Sequence, residues 1–370
     1  MTREEYCAKI QEAINQFDFG APVHDYELYG NGHINDTFMV HTGKDGTGRR
    51  YIIQRINTEV FRNPQELMEN IAGVTAFLRK KIIEAGGDPE RETLNIVKTK
   101  NGENFCHDDI GCCWRVYPFV EDTDSFDEVK KPEDFYQSAV AFGHFQNLLA
   151  EYPAAGLHET IRDFHNTPVR YRNFMKALKA DALGRAKNIQ PEIEFVLAHE
   201  KDTHVLTDQN AAGNLPLKVT HNDTKLNNVL FDHKTGRALC VIDLDTIMPG
   251  FATNDFGDSI RFGANTGAED ERDLSKVGLD LGLYDIYLKG FLEECRNSLN
   301  ETEVHMLRWS AKLMTLECGI RFLTDYLEGD SYFRIHREGQ NLDRCRSQFK
   351  LVSDMEEKWD EMEQAANRYL

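Results

Sequence analysis

Basic side chains are the first shortage in this sequence: 43 Lys and Arg stand against 62 Asp and Glu, for a formal net charge of −19. Such a surface repels phosphate backbones and anionic lipid, so neither nucleic acid nor membrane is expected as a partner, whereas a cationic small molecule stays compatible with it. Paired cysteines are missing too. The eight Cys, at 7, 106, 112, 113, 240, 295, 318 and 345, form no C-x-x-C pair and have no His at zinc spacing, which points to reduced, mostly buried thiols. No apolar run approaches the ~20 residues that a membrane helix needs. Residues 1–16 are charged and amphipathic rather than built around an apolar signal core, so a cytoplasmic location is expected. Internal repeats and low-complexity segments are also lacking. What remains is a chain of 370 residues, 41% apolar, long for one core and suited to two domains or one large bilobal one. Nothing in the composition addresses oligomeric state.

Periodicity divides the chain unevenly. Residues 4–17 carry Tyr6, Ile10, Ile14 and Phe17 at helical spacing, and Pro22 then opens a β-rich stretch with strands expected at 26–29, 34–41 and 51–56. A helix is expected from Pro64, with Leu67, Ile71, Val74 and Leu78 on one face, ending near Gly86 and Gly87. Strands at 94–98 and 113–120 follow, around the turn at Asn101 and Gly102. Beyond Glu121 the pattern is mainly helical, with helices expected from Pro132 and over roughly 170–200, 274–296, 303–328 and 343–367. This is an α+β pattern with two unequal lobes: residues 1–120 as a small β-rich, nucleotide-binding lobe and 121–370 as a larger, mainly helical lobe.

The most informative stretch is His221-Asn222-Asp223-Thr224-Lys225-Leu226-Asn227-Asn228, followed by Val241-Ile242-Asp243-Leu244-Asp245. Between them, two short β-branched runs flank the turn His233-Lys234-Thr235-Gly236, which reads as a hairpin with Asn228 at its entry and Asp243 at its exit. Two oxygen ligands at the ends of one hairpin can converge on a hard cation such as Mg2+. In kinase chemistry a loop Asp takes the proton of the acceptor hydroxyl, an Asn a few residues on holds magnesium, and a second Asp holds it from a later strand end. Asp223, Asn228 and Asp243 fit those three posts, and Lys225 supplies a point charge for the phosphoryl group in flight. Asp255-Phe256-Gly257 resembles the metal-binding triplet of protein kinases but comes too late after Asp223. Asp255 is therefore expected to be structural, accepting hydrogen bonds from the amides of the 221–228 loop.

On the nucleotide side, the Gly30-Asn31-Gly32 turn lets backbone approach phosphate as a glycine-rich hairpin does over ATP. It equally suits a plain hairpin closure. Kinases place a Lys on the third strand, yet 51–56 offers Gln54 on one face and Arg55 on the other, and sequence alone does not fix which points inward. Glu66 or Glu69 on the following helix is the candidate partner for whichever does. Residues 114–120 are either the connecting segment that meets adenine, through Pro118 and Val120, or an ordinary core strand.

The chain resembles the aminoglycoside phosphotransferase-like small-molecule kinases, and within them the branch acting on N-acetylhexosamines. The likeness is carried by residues 29–35 (Tyr-Gly-Asn-Gly-His-Ile-Asn), 114–117, 142–147, 221–228, 242–250, 255–263, 317–323 and 325–330. The resemblance implies a bilobal protein-kinase-like fold and ATP- and Mg2+-dependent phosphorylation of N-acetylglucosamine or N-acetylgalactosamine at the anomeric hydroxyl. It also implies that Asp245 positions substrate or metal and that His33, Phe262, Arg321 and Tyr332 lie near the sugar. Other readings stand beside these. Glu317, Arg321 and Asp325 at i, i+4, i+8 suit an ion-pair ladder worth only ~0.2–0.5 kcal/mol per pair. Phe262 suits a core and His33 a turn cap. For the whole chain, a same-fold kinase for choline, homoserine or an aminoglycoside, and a catalytically silent nucleotide-binding scaffold, are the alternatives.

Overall fold

The structure, a computed structural model, describes residues 3–30 and 34–370. The N-terminal helix α1 (Arg3–Ile14) lays Ile10 and Ile14, with Phe17 beyond its end, on one face of an antiparallel sheet. That sheet contains β1 (Val23–Leu28), β2 (Asp36–Thr42), β3 (Arg50–Ile56), β4 (Cys106–His107) and β5 (Cys113–Pro118), in the order β1-β2-β3-β5-β4. Strand alternation decides its two faces. Tyr51 and Ile53 join Phe38, Val40, Trp114 and Val116 under α1, while Ile56 turns the other way to meet α2 (Pro64–Glu84). Asn63 starts α2 by accepting the Glu66 amide, with Pro64 in the first turn. Its apolar face, Leu67, Ile71, Val74 and Leu78, packs on Tyr117 and on Phe145, Val219, Leu244 and Ile247, so one core runs from the sheet into the segments that carry the site.

The remainder is mainly helical: α3 (Pro132–Leu148), α4 (Thr167–Ala180), α5 (Gln190–Ala198), α6 (Val205–Ala211), α7 (Ala252–Gly263), α8 (Leu281–Cys295), α9 (Glu301–Glu328), α10 (Gln340–Glu357) and α11 (Trp359–Asn367). Two small sheets are set among these helices. One pairs β7 (Lys218–Thr220) with β10 (Met248–Gly250); the other is ordered β6 (Thr123–Asp124), β8 (Val229–Asp232), β9 (Ala238–Val241). The longest helix, α9, is the hub, touched by α4, α7, α10 and α11. Mixed α+β architecture, a small antiparallel sheet and a larger helical portion agree with the pattern read from sequence.

Four local expectations need correction. Residues 94–98 are not a strand; they give β5 only the bond from Val97 N–H to Val116 C=O at 2.9 Å, and the adjoining β5 residues pair with Cys106 and His107 instead. The expected helix over 170–200 is broken, because Asp181 takes a left-handed conformation (φ 33°) and uses its Oδ1 on the Ala186 amide, and Pro191 then opens α5. The 274–296 stretch becomes a helix only after Asp280 caps Leu283 N–H. Over 343–367 the helix breaks at Lys358, whose ammonium reaches the Leu279 carbonyl and Asp354.

Candidate active site

The loop 221–228 leaves β7 and enters β8 through a single helical turn, and each of its first four amides is accounted for. Asp255, at the start of α7, accepts His221 N–H on Oδ2 (2.9 Å) and Asn222 N–H on Oδ1 (2.8 Å), while Gln146 Nε2 donates to Oδ2 at 2.6 Å. Asp223 N–H donates to His221 Nδ1 (3.3 Å), and the other ring nitrogen, Nε2, donates to the Ile242 carbonyl (2.9 Å). Thr224 N–H donates to Asp258 Oδ2 (3.0 Å), one helical turn beyond Asp255. Asp255 thus lies inside α7 and braces this loop, as its distance from Asp223 in sequence led us to expect. Burial pushes its carboxyl upward, and His221 and the donors pull against that shift. Gly257, the third residue of the same triplet, belongs to helix packing: a Cβ there would lie 2.4 Å from the Ser310 carbonyl oxygen of α9.

The expected hairpin is present, with Val229 opposite Val241 and Leu230 opposite Cys240. It brings Asn228 and Asp243 to one end, where Ile242 N–H donates to Asn228 C=O at 2.9 Å. Asn228 Nδ2 donates to the Asp223 carbonyl (2.8 Å) and to Asp223 Oδ2 (3.2 Å). Its Oδ1 receives no hydrogen bond among the described residues. Lys225 Nζ meets Asp223 Oδ1 at 2.8 Å; burial opposes its charge, and Asp223 outweighs burial and raises its pKa. Asp243 sits in a left-handed conformation (φ 58°), as does Asn222 (φ 66°). Its side chain is exposed, yet the surrounding protein together with the charges of Asp245 and Asp223 pushes its carboxyl up to about 6. Among the described residues the Asp243 carboxylate has neither hydrogen bond nor ion pair. An unbonded amide oxygen and an unbonded, electrostatically crowded carboxylate form a donor set that fits a hard divalent cation.

Gln54 and Arg55 are separated by the pleat. Arg55 points to the α1 side and pairs with Asp36 (Nε to Oδ2, 2.8 Å), so it is not turned toward the 243–245 segment. Gln54 faces the other way, where Oε1 accepts both Nε and Nη2 of Arg115 (3.1 and 2.9 Å). Arg115, fully buried on β5, forms an ion pair with Asp245. Neither Glu66 nor Glu69 orients these groups: the half-buried Glu66 side chain makes no hydrogen bond or ion pair among the described residues, and Glu69 bonds Gln65 and His158. From α2 it is Asn70 that reaches the site segment, donating to the Ile247 carbonyl at 3.0 Å. Of the glycine turn, Gly30 is described (φ 74°), whereas Asn31, Gly32 and His33 lie outside the described residues. Asn35, just past the turn, donates to Asp245 Oδ2 at 2.6 Å. Residues 113–118 are a core strand; Pro118 closes it opposite Tyr51, and Val120 follows with its carbonyl accepting Thr123 Oγ1 (2.9 Å).

On the far side of the loop, Arg321 of α9 lies among three rings, 5.4 Å from the Phe164 centroid, 5.3 Å from Phe333 and 6.0 Å from Tyr332. The ion-pair ladder is not formed. Glu317 instead takes His165 Nδ1 (2.9 Å) and Thr167 Oγ1 (2.8 Å), and Asp325 takes the amides of Ser331, Tyr332 and Phe333. Arg321 therefore has no carboxylate partner among the described residues. His165 ties this region to the loop through Nε2 to Asn222 C=O at 3.2 Å, and its ring packs on Phe164. Phe262 is half-buried on α7, and Tyr332 is exposed. Sequence reasoning missed Arg115, Asn35, His165, Gln146 and Asp258. Only Arg115 carried a signal of its own, a charge centred in an otherwise apolar strand.

The sequence profile of the phosphotransferase enzyme family matches residues 25–284. Among solved structures, a microcompartment-associated aminopropanol kinase superposes with a TM-score of 0.64 at 15% identity, covering 96% of this chain and 98% of that one. An aminoglycoside phosphotransferase from Alicyclobacillus acidocaldarius gives 0.59 at 12% identity (97% and 96% covered), and a choline kinase from Streptococcus pneumoniae gives 0.53 at 11% (95% and 99%). An amicoumacin kinase solved with AMP-PNP and Ca2+ gives 0.57 at 12% identity (96% and 94%). At these identities the likeness is one of fold.

Proposed function

The chain belongs to the phosphotransferase enzyme family, and from that premise we propose that it is an N-acetylhexosamine 1-kinase, transferring the γ-phosphoryl group of ATP to the anomeric hydroxyl of N-acetylglucosamine or N-acetylgalactosamine. Residues 1–120 then hold the nucleotide, with the glycine turn over its phosphates and 118–120 beside adenine; residues 121–370 supply the catalytic loop and the acceptor site. The observation that carries the acceptor class is Arg321, a guanidinium without a carboxylate partner among the described residues, walled by Phe164, Tyr332 and Phe333. An ammonium-bearing acceptor would meet like charge there, whereas sugar hydroxyls and an acetamido carbonyl accept its N–H donors.

Asp223 orients the acceptor hydroxyl and takes its proton, and the Asn228 and Lys225 contacts to its side chain hold both oxygens in place. Asn228 Oδ1 and Asp243 are the residues that would hold Mg2+, with Asp245 behind them. The bound ion would supply electrostatic stabilisation of phosphate charge. Lys225, once the acceptor occupies Asp223, is free to face the phosphoryl oxygens. Placing the acceptor in line is the larger part of such catalysis, because little covalent work falls to the protein. Phosphorus NMR of the protein with ATP and magnesium, run separately with each N-acetylhexosamine, choline, homoserine and an aminoglycoside, tests the reading. A resonance coupled to an anomeric proton is expected with the sugars; product only with an amine would refute the sugar assignment. Asp223→Asn is expected to bind ATP nearly as well as wild type while losing most turnover, and retained turnover would remove Asp223 from the role of base.

A further inference from the structure

Protein kinases hold the nucleotide with a Lys on the third strand, oriented by a carboxylate from the next helix. Here the inward position of β3 is neutral, and the cation stands directly across the ladder, since Gln54 is the register partner of Arg115. The guanidinium is used at three nitrogens: Nε and Nη2 donate to Gln54, and Nη1 pairs with Asp245. The Tyr117 ring lies 5.3 Å from it, and only 1% of the residue is exposed. A guanidinium so enclosed is an anchor rather than a mobile phosphate ligand. Its partner Asp245 is two residues from Asp243 and is held on its other oxygen by Asn35, at the root of the glycine turn. Gln54 Nε2 donates to Thr37 Oγ1 at 3.0 Å, next to that same root, so Thr37, Gln54, Arg115, Asp245 and Asn35 close a ring between the sheet and the 243–245 segment.

We infer that Arg115 is a positioning residue for the divalent cation–nucleotide complex: by fixing Asp245 it sets the 243–245 segment and the root of the glycine turn in one arrangement, acting from β5 through a carboxylate where a third-strand Lys elsewhere acts on the phosphates directly. The inference rests on the proposed function only in requiring that the site take a cation with a nucleotide. Arg115 acts through Asp245 and touches no reacting atom.

The test is Mn2+ binding to the full chain in the presence of AMP-PNP, read by electron paramagnetic resonance, alongside AMP-PNP affinity in EDTA and a circular-dichroism melt. Arg115→Met is expected to weaken nucleotide-dependent Mn2+ binding ~10–100-fold, the range typical of groups that orient a metal ligand from behind, with Arg115→Lys recovering part of the loss and metal-free nucleotide affinity unchanged. A variant that melts lower but binds Mn2+ like wild type would show a purely structural role and overturn the inference. So would an equal loss of metal-free AMP-PNP binding, which would mean direct phosphate contact. Should Arg115→Met fail to fold, the double variant Arg115→Met with Asp245→Asn, which leaves no unpaired buried charge, takes its place; wild-type Mn2+ affinity there also overturns the inference. Wild-type Mn2+–AMP-PNP binding without acceptor-dependent ADP release would sink the kinase reading and leave this one standing.

Discussion

Replacing Asp255 by Asn changes one atom, yet the structure predicts a large effect. Both carboxylate oxygens are acceptors: Oδ1 for Asn222 N–H, Oδ2 for His221 N–H and Gln146 Nε2. An asparagine offers one acceptor and one donor. With its carbonyl at the Oδ2 position it keeps two bonds and turns its NH2 against Asn222 N–H; reversed, it keeps one and opposes two donors. Gln146 offers no escape by flipping, because its Nε2 also donates to Val219 C=O at 3.1 Å. Asp255 is completely buried, so water cannot step in. A buried donor left unanswered costs about 1–3 kcal/mol, and loss of a charged acceptor adds to it, giving about 2–4 kcal/mol in all. That is a sizeable share of the ~5–15 kcal/mol of a typical native fold. Urea unfolding measures the loss directly. Turnover should fall further than stability alone requires, since the displaced amides belong to the two residues before Asp223, while ATP affinity should hold. An Asp255→Asn variant within ~0.5 kcal/mol of wild type, the range of an ordinary surface change, with unchanged kcat would refute the bracing argument.

Three further outcomes are expected. The Glu317 bond raises the His165 pKa above its ordinary 6.5 despite burial, and His165 in turn lowers that of Glu317 below 4.5, also despite burial. The histidine's contribution is complete below 6.5 and lost as pH rises through its folded value; the glutamate's is complete above 4.5 and lost as pH falls through its own. The stability gap between wild type and His165→Gln should therefore peak between about pH 4.5 and 6.5, and a gap independent of pH would break the linkage. Gly257→Ala should cost about 1–3 kcal/mol in chemical denaturation, because the added methyl meets the Ser310 carbonyl across the α7–α9 contact, and a neutral result would show that the helices can part freely. Arg321→Gln should raise KM for the proposed N-acetylhexosamine acceptor ~10–100-fold with KM for ATP unchanged, as loss of charged hydrogen bonds to that acceptor requires; an unchanged acceptor KM in steady-state kinetics with each substrate varied in turn would remove Arg321 from the acceptor site.

Much of the fold was legible because its signals are local. The β1–β2–β3 meander and the start of α2 follow from alternation, turn residues and Pro64, and the β8–β9 hairpin follows from two short runs around one turn. Breaks were harder to see. The interruption at Asp181 depends on a left-handed cap, and the lost strand at 94–98 on competition from a two-residue strand, neither of which leaves a periodic trace. Within the site, residue types and spacing led to Asp223, Asn228 and Asp243, since the hairpin between them is short enough to place its two ends together. Arg321 could be named, but whether it sat in a carboxylate ladder or a ring of aromatics depended on where Glu317 and Asp325 found other partners.

Sequence by itself determined the chemistry available: the loop carboxylate, the Asn and Asp at the ends of a hairpin, and a third strand that carries Gln54 and Arg55 but no Lys. Tertiary structure decided the electrostatics, because charges act through space and not along the chain. Only the sheet register set Arg115 across from Gln54, only the meeting of sheet and hairpin gave that arginine to Asp245, and only the packing of α7 beneath the loop chose His221 and Asn222 as the two amides that Asp255 accepts.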